Sequence, residues 1–275
     1  MSSHHRSGPV APGIAFITGG ARGLGNAIAV SFAKEGATGI ALVDINNEET
    51  FAKGKAAVEA YGAKCITIHA DVTNEDDVAR AIATTVQEFG RIDYAANFAG
   101  IVGPLSNCWE TETSDWKKVI DVNLIGVWLC TKLEMKQMLA QDSLSAGIEQ
   151  GRIEQKGSIV NCASVNSIQA GAGTSGYTAA KHGVVGITKA AALEGRDKYV
   201  RVNCVSPGFL QTNLFDAVPG KTDDLWGVFE ARQGRVAALE EIGDVVVLLS
   251  TPRMSLVNGH NLVIDNGFTI NENAL

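Results

Sequence analysis

Tyr177 and Lys181, in the run Tyr177-Thr-Ala-Ala-Lys181, are the residues of this chain best suited to moving a proton. On a helix an i to i+4 spacing puts two side chains on one face, about 5 to 6 Å apart at Cβ. A free phenol titrates at about pH 10 and is a poor base at neutral pH, but a nearby ammonium favours its ionised form and lowers that pKa. Beside Lys181, Tyr177 can take the hydroxyl proton of an alcohol while hydride leaves its carbon, or donate it during carbonyl reduction. Tyr/Lys pairs at this spacing also occur on ordinary surface helices, so the neighbours matter. Ser164 lies 13 residues before Tyr177, just after an apolar run, where its hydroxyl can hydrogen-bond the reacting oxygen. Asn123, within Asp-Val-Asn-Leu, is polar among apolar neighbours; a buried Asn there can also merely satisfy backbone groups.

Hydride chemistry needs a carrier, and the N-terminal quarter offers a place for one. Thr18-Gly19-Gly20-Ala21-Arg22-Gly23-Leu24-Gly25 follows an apolar run and opens an Ala-rich amphipathic segment. Glycines there let the backbone turn tightly and approach a pyrophosphate, whose charge a helix N-terminus favours. The spacing is GxxxGxG, and Gly-rich turns also close ordinary βα units. Asp44, 19 residues beyond Gly25, ends the second apolar run. There a carboxylate accepts hydrogen bonds from the adenosine ribose hydroxyls and repels a 2'-phosphate. Arg22, inside the glycine turn, argues the other way. NAD(H) is therefore the expected cofactor and NADP(H) the alternative. Asp71-Val72 can flank the adenine, although Asp71 alone reads equally as a helix cap. Asn97-Phe98-Ala99-Gly100 forms a small turn that can approach the adenosine or ribose.

The elements that must position these residues alternate along the chain. Short runs rich in Val and Ile, at Gly13 to Thr18, Gly39 to Asp44, Lys64 to His69, Ile92 to Ala96, Ser158 to Cys162, Arg201 to Val205 and Asn261 to Asp265, read as strands. Helical periodicity fills the intervals near Gly23 to Glu35, Glu48 to Tyr61, Glu75 to Phe89, Ser114 to Leu139, Tyr177 to Glu194 and Leu239 to Ser250. Repeated βαβ units imply an α/β fold with a doubly wound, mostly parallel seven-stranded sheet. No linker composition divides the chain, so a single domain over residues 13–275 is expected after a loose tail, 1–12. Gln141 to Lys156 is polar and reads as an exposed loop. Leu210 to Ala238 mixes Leu214, Phe215, Trp226 and Phe229 with polar residues after a strand's carboxyl end, where open α/β sheets bind ligands, and reads as a substrate loop or lid.

With 275 residues, 45% hydrophobic and 19% charged, the chain has an ordinary globular composition. Its formal charge of -7 is scattered and has no Lys/Arg cluster to neutralise phosphates, which argues against a nucleic-acid partner. Five widely spaced cysteines form no metal-ligand spacing and fit a reducing compartment; no metal is expected. No apolar run approaches the roughly 18 residues of a membrane span, and the tail resembles no signal peptide, so a cytoplasmic location is expected. A hydrolase reading fails because neither a GxSxG elbow nor a histidine in a triad context is present.

In order and along nearly the whole chain, Thr18 to Gly25, Asp71-Val72, Asn97 to Gly100, Asn123, Ser164, Tyr177 with Lys181, and Pro207-Gly208 resemble the short-chain dehydrogenase/reductase family. The resemblance implies a Rossmann-type single domain. In it Ser164 orients substrate, Tyr177 is the acid/base, Lys181 also binds the nicotinamide ribose and Asn123 holds a proton-relay water. It further implies that Val205 to Gly208 and Thr212 border the nicotinamide, and that the protein forms a homo-oligomer, a tetramer or dimer, with the helices carrying Asn123 and Tyr177 between subunits. Two positions depart from the family pattern. Phe98 stands where the family turn has a second Asn, and Asp265-Asn266-Gly267 differs by one residue from the family's Asp-Gly-Gly. The expected activity is NAD(H)-dependent interconversion of a secondary alcohol and a ketone on a bulky, apolar, cyclic molecule, the apolar part resting on the lid and on Trp109. NADPH-dependent carbonyl reduction is the alternative. A dinucleotide-binding protein without turnover is a third reading, which the full set Asn123, Ser164, Tyr177 and Lys181 disfavours.

Overall fold

The computed structural model describes residues 10–144, 153–210, 227 and 230–270. Strand β1, Gly13–Thr18, illustrates how short apolar runs build it. Successive side chains of a strand point to opposite faces. Ala15 and Ile17 enter one buried cluster and Phe16 the other. A strand covered on both sides needs apolar residues at consecutive positions, which is why the run does not alternate.

Six further strands join it: β2 (Ala37–Asp44), β3 (Lys64–His69), β4 (Tyr94–Asn97), β5 (Gly157–Cys162), β6 (Val200–Pro207) and β7 (Asn261–Ile264). They form one seven-stranded sheet in the order β3-β2-β1-β4-β5-β6-β7, parallel throughout. Helices α1 (Gly23–Lys34), α2 (Glu48–Glu59) and α7 (Leu239–Ser250) cover one face; α3 (Glu75–Phe89), α5 (Gly126–Ala140) and α6 (Ser175–Gly195) cover the other. Helix α4 (Thr113–Ile120) packs against α6. The strand order reverses between β1 and β4, which places the ligand crevice at the carboxyl ends of these two strands. No helix among the described residues is long and apolar enough to cross a membrane.

The differences from the sequence reading are local. The helix expected from Ser114 to Leu139 contains a π-helical turn, Asp121–Ile125, centred on Asn123. Single π turns inside helices re-aim side chains and concentrate at functional sites. Strand β6 runs on to Pro207, which a terminal strand position tolerates. At the described ends of the 141–156 segment Asp142, Ile153 and Glu154 are exposed, as a surface loop requires, but two residues turn inward. Leu144 and Gln155 are buried and joined by a Leu144 N–H to Gln155 carbonyl bond of 2.7 Å, and the Gln155 amide oxygen accepts from the Arg201 guanidinium on β6. Residues 145–152 and most of the expected lid lie outside the described residues.

Candidate active site

The glycine turn joins β1 to α1 and is held from both sides. The Thr18 hydroxyl accepts hydrogen bonds from the Phe98 and Ala99 amides at 3.1 and 3.3 Å, fixing the ends of β1 and β4 side by side. Gly19 has φ +68° and lies so close to the 98–99 backbone that a Cβ would meet Ala99 N and Phe98 O at 2.8 Å. At Gly25 a Cβ would fall on the Gly19 carbonyl oxygen, so the turn closes only with glycine at both ends. Arg22 is the exposed, extended N-cap of α1 and its side chain makes no capping bond. Gly23, the first helical residue, faces open space. The partly buried Leu24 side chain packs against the core, leaving its backbone in the glycine turn. Uncapped N–H groups behind an open glycine suit a pyrophosphate.

Asp44 closes β2 beside this turn. Its Oδ1 accepts from Ile45 N, Asn46 N and Asn46 Nδ2 at 2.8, 3.2 and 2.6 Å, while Oδ2 accepts only from Ala21 N at 3.1 Å among the described residues. A carboxylate oxygen with one donor can take another, so Oδ2 fits a ribose hydroxyl. These features together accept a nicotinamide dinucleotide. Asp71 at the β3 exit accepts from the Thr73 amide and hydroxyl at 2.9 and 2.8 Å. The α3 cap is Asn74, which accepts from Asp76 N and Asp77 N, so the cap reading of Asp71 falls. Val72 is buried against Gly126. Gly100 abuts the Asn123 amide oxygen. The side chain of Asn97 turns away from the crevice into a buried polar network, so only its backbone leads into the turn.

On the other side of the crevice, Lys181 is 2% exposed, donates to the Cys162 carbonyl at 2.7 Å and lies 5.4 Å from the Tyr177 ring centroid. Ser164 follows β5 in an extended conformation; its hydroxyl accepts from Asn166 N at 3.2 Å and lies close enough to the phenol of half-buried Tyr177 to lower its pKa. The Tyr177 phenol lies above its ordinary pKa: burial raises it, and the Lys181 ammonium and Ser164 hydroxyl lower it without cancelling the burial. The net lowering expected from Lys181 alone is thus corrected, because the same burial that brings the ammonium close removes water from the phenolate. Asn123 is fully buried. Its amide donates to Ile101 O and Val119 O at 2.8 and 3.0 Å and accepts from Ile101 N at 3.2 Å, tying the π turn to the chain beyond β4.

Ser164, Tyr177 and Lys181 are therefore gathered on one side of the crevice, with the π turn of Asn123 packed against the helix that carries Tyr177 and Lys181. A small cleft beside Tyr177 is lined by Val102, Pro104, Thr111, Asp115, Trp116 and Val119. Trp109 is 83% exposed and does not line this cleft. Trp116 does line it; it stands seven residues before Asn123, two turns on one helix face, and that spacing is the signal by which sequence could have found it. Gln233 was also not legible. It is buried and grips the Phe209 backbone, accepting from its N–H at 2.7 Å and donating to its carbonyl at 3.0 Å, just past Pro207-Gly208. Thr212 lies outside the described residues.

The family model described as Enoyl-(Acyl carrier protein) reductase matches residues 19–269. The short-chain dehydrogenase fogB of Aspergillus ruber is 38% identical over 94% of this chain and 97% of its own length. A borneol dehydrogenase of Lavandula x intermedia is 35% identical over 94% and 90%. The crystal structure of levodione reductase superposes with a TM-score of 0.83 at 33% identity, over 95% of this chain and 99% of that one. With the parallel sheet, the glycine turn and the Ser164, Tyr177 and Lys181 cluster in place, the chain belongs to the short-chain dehydrogenase/reductase family.

Proposed function

We propose that the protein interconverts a secondary alcohol and a ketone with NAD(H), on a bulky, largely apolar, cyclic small molecule. The observation that carries this reading is the buried Lys181 ammonium beneath the Tyr177 ring, with the Ser164 hydroxyl close by. The dinucleotide, when bound, supplies or removes the hydride at the substrate carbon. Tyr177 Oη receives the alcohol proton in oxidation and returns it to the carbonyl oxygen in reduction. Ser164 hydrogen-bonds that same oxygen, and Lys181 stabilises the phenolate and reaches the nicotinamide ribose. Asn123 orders the Ile101 backbone and a relay water. Because burial keeps the phenol protonated at neutral pH, proton donation to a ketone is favoured there and alcohol oxidation gains as pH rises.

Relatives named for borneol and levodione support an apolar substrate; Val102, Pro104, Trp116 and Val119 give the cleft beside Tyr177 an apolar wall alongside the polar Thr111 and Asp115. Exposed Trp128, Leu139 and Leu193 on α5 and α6 support a homo-oligomer. The open Oδ2 of Asp44 supports NAD(H). The exposed Arg22 favours a second reading, NADPH-dependent carbonyl reduction. Titrating the protein with NADH and NADPH at matched salt separates the two. A preference for NADH that Asp44→Ala relaxes by about tenfold, the worth of one hydrogen bond to a charged group, supports the first reading. Tighter NADPH binding by the wild type sinks it.

A further inference from the structure

Glu134 sits on α5 with no solvent exposure, against the exit of β4. Its Oε2 accepts a 2.9 Å hydrogen bond from Asn97 Nδ2. The other Asn97 amide hydrogen goes to Asn161 Oδ1 at 3.0 Å, which also accepts from Thr131 at 3.2 Å, and Asn161 Nδ2 donates to Thr188 at 3.1 Å. Two atoms of the bonded pair, Asn97 Oδ1 and Glu134 Oε1, are buried without a hydrogen-bond partner among the described residues. Both are acceptors, so an ionised Glu134 satisfies neither. A proton on Oε1 makes it a donor, and the Asn97 carbonyl oxygen is the acceptor of the same pair with no other claim on it. A buried carboxylate that, among the described residues, is held by one neutral amide and no cation is costly, whereas a closed acid–amide pair is not.

We propose that Glu134 is a positioning residue carried as the neutral carboxylic acid, its hydroxyl donating to Asn97 Oδ1, and that this pair fixes the end of β4 and the turn beyond it. Asn97 leads directly into Phe98 and Ala99, whose amides bind Thr18 and whose backbone touches Gly19. A shift at Asn97 is thereby passed to the glycine turn. Burial raises the Glu134 carboxyl to about 8, opposed only by the Asn97 donor. The groups of its network on β4, β5 and α6 are the uncharged Asn97, Asn161 and Thr188. Cys130, one turn earlier on α5, is the titratable neighbour, and burial and Glu134 push its thiol well above the ordinary value, so it stays neutral. Lys132, and Glu75 on α3, pair with each other on the exposed side of α5.

The protonation stands independently of the proposed function; the consequence for dinucleotide binding rests on it. Infrared difference spectra of the full chain, wild type minus Glu134→Gln, test the proton at pH 7, where ordinary carboxyls are ionised. A carboxylic-acid carbonyl band that disappears as pH passes about 8 is expected. Its absence at pH 7 overturns the proposal. Hydrogen exchange at the Phe98 and Ala99 amides tests the positioning. Glu134→Gln, which keeps a neutral amide pair, should match the wild type, and Glu134→Ala should exchange about tenfold faster there with β6 unchanged, as local opening requires. Equal exchange in all three, or faster exchange throughout the sheet, overturns positioning. Should the Ala variant not fold, NADH affinity decides: the wild type is expected to weaken above pH 8 while Glu134→Gln does not, and parallel pH dependence overturns the proposal. Failure of the wild type to bind either dinucleotide sinks the proposed function instead, leaving the band to judge the proton.

Discussion

Two cations are buried at or beside β6, Arg201 on the strand itself and Lys181 on α6, and they are satisfied very differently. Arg201, 6% exposed, lies in a cage of carbonyls. Its guanidinium donates to Val257, Leu249, Ser250 and Thr251 backbone oxygens at 2.8, 3.0, 3.0 and 3.1 Å and to Gln155 Oε1. Several of these are the last carbonyls of α7, where the helix dipole is negative. Burial nonetheless pulls the guanidinium down to about 10. Lys181 is equally buried, yet among the described residues its ammonium makes one hydrogen bond, to Cys162 O. An ammonium has three hydrogens to give. Saturated donors suit a cation whose work is structural; donors left over at a crevice suit the ligand contact proposed for Lys181.

The largest effect expected from this contrast is on Tyr177, the group Lys181 serves. Tyr177→Phe should cut turnover by about 10³-fold or more, the scale of positioned acid/base catalysis, with dinucleotide binding retained. Turnover within tenfold of wild type would move the proton transfer to another residue. Glu134 offers the anionic counterpart. An unfolded Glu titrates at about 4.3, whereas the buried group is held at about 8. Between those values the unfolded chain has lost its proton and the folded one keeps it, so stability falls as pH rises, by at most about 1.4 kcal/mol per pH unit, and levels off above about 8. Urea midpoints of wild type and Glu134→Gln should therefore diverge from pH 5 to 8 and run parallel above; parallel curves throughout would place an ionised Glu134 in the native state.

Next in size is the direct test of the two cations. Arg201→Met strips donors from a ring of buried carbonyls and should cost about 3 kcal/mol or more of unfolding free energy, with turnover per folded molecule unchanged. Lys181→Met removes a buried charge with one acceptor, so it should cost under about 1.5 kcal/mol, the net worth of a single hydrogen bond, while lowering turnover about 10²-fold. Equal stability losses would erase the distinction.

What the sequence made legible follows from how local each feature is. The strands, the glycine turn, Asp44 and the Tyr177/Lys181 pair depend on spacings within one βα unit, so periodicity and turn chemistry reveal them. Asn97 and Glu134 are 37 residues apart and Arg201 and Gln155 are 46 apart, so only the folded sheet joins them. Asn97 shows the limit well: its position in the turn was readable, but its side chain answers to a partner on α5. The sign of the Tyr177 shift was missed for the same reason, because spacing reveals Lys181 while burial is a property of the whole crevice.

Lys132 carries the comparison to the surface, where the smallest effect is expected. Its ammonium lies 2.6 Å from Glu75 on α3 and 5.2 Å from the Trp128 ring, with the paired side chains 43% and 49% exposed. Water already solvates both charges, so Lys132→Ala should cost less than about 0.5 kcal/mol and less still in high salt. That outcome holds only while this face of α5 meets solvent. Trp128 and Leu139 are exposed on the same helix, and a second copy seated there would desolvate the pair. A loss of about 2 kcal/mol or more that grows with protein concentration would then report an oligomer interface over α5, because a partner bound to the native state alone adds to its stability by mass action. A small, concentration-independent loss would leave Lys132 as the solvated member of the series and take the interface away from this face.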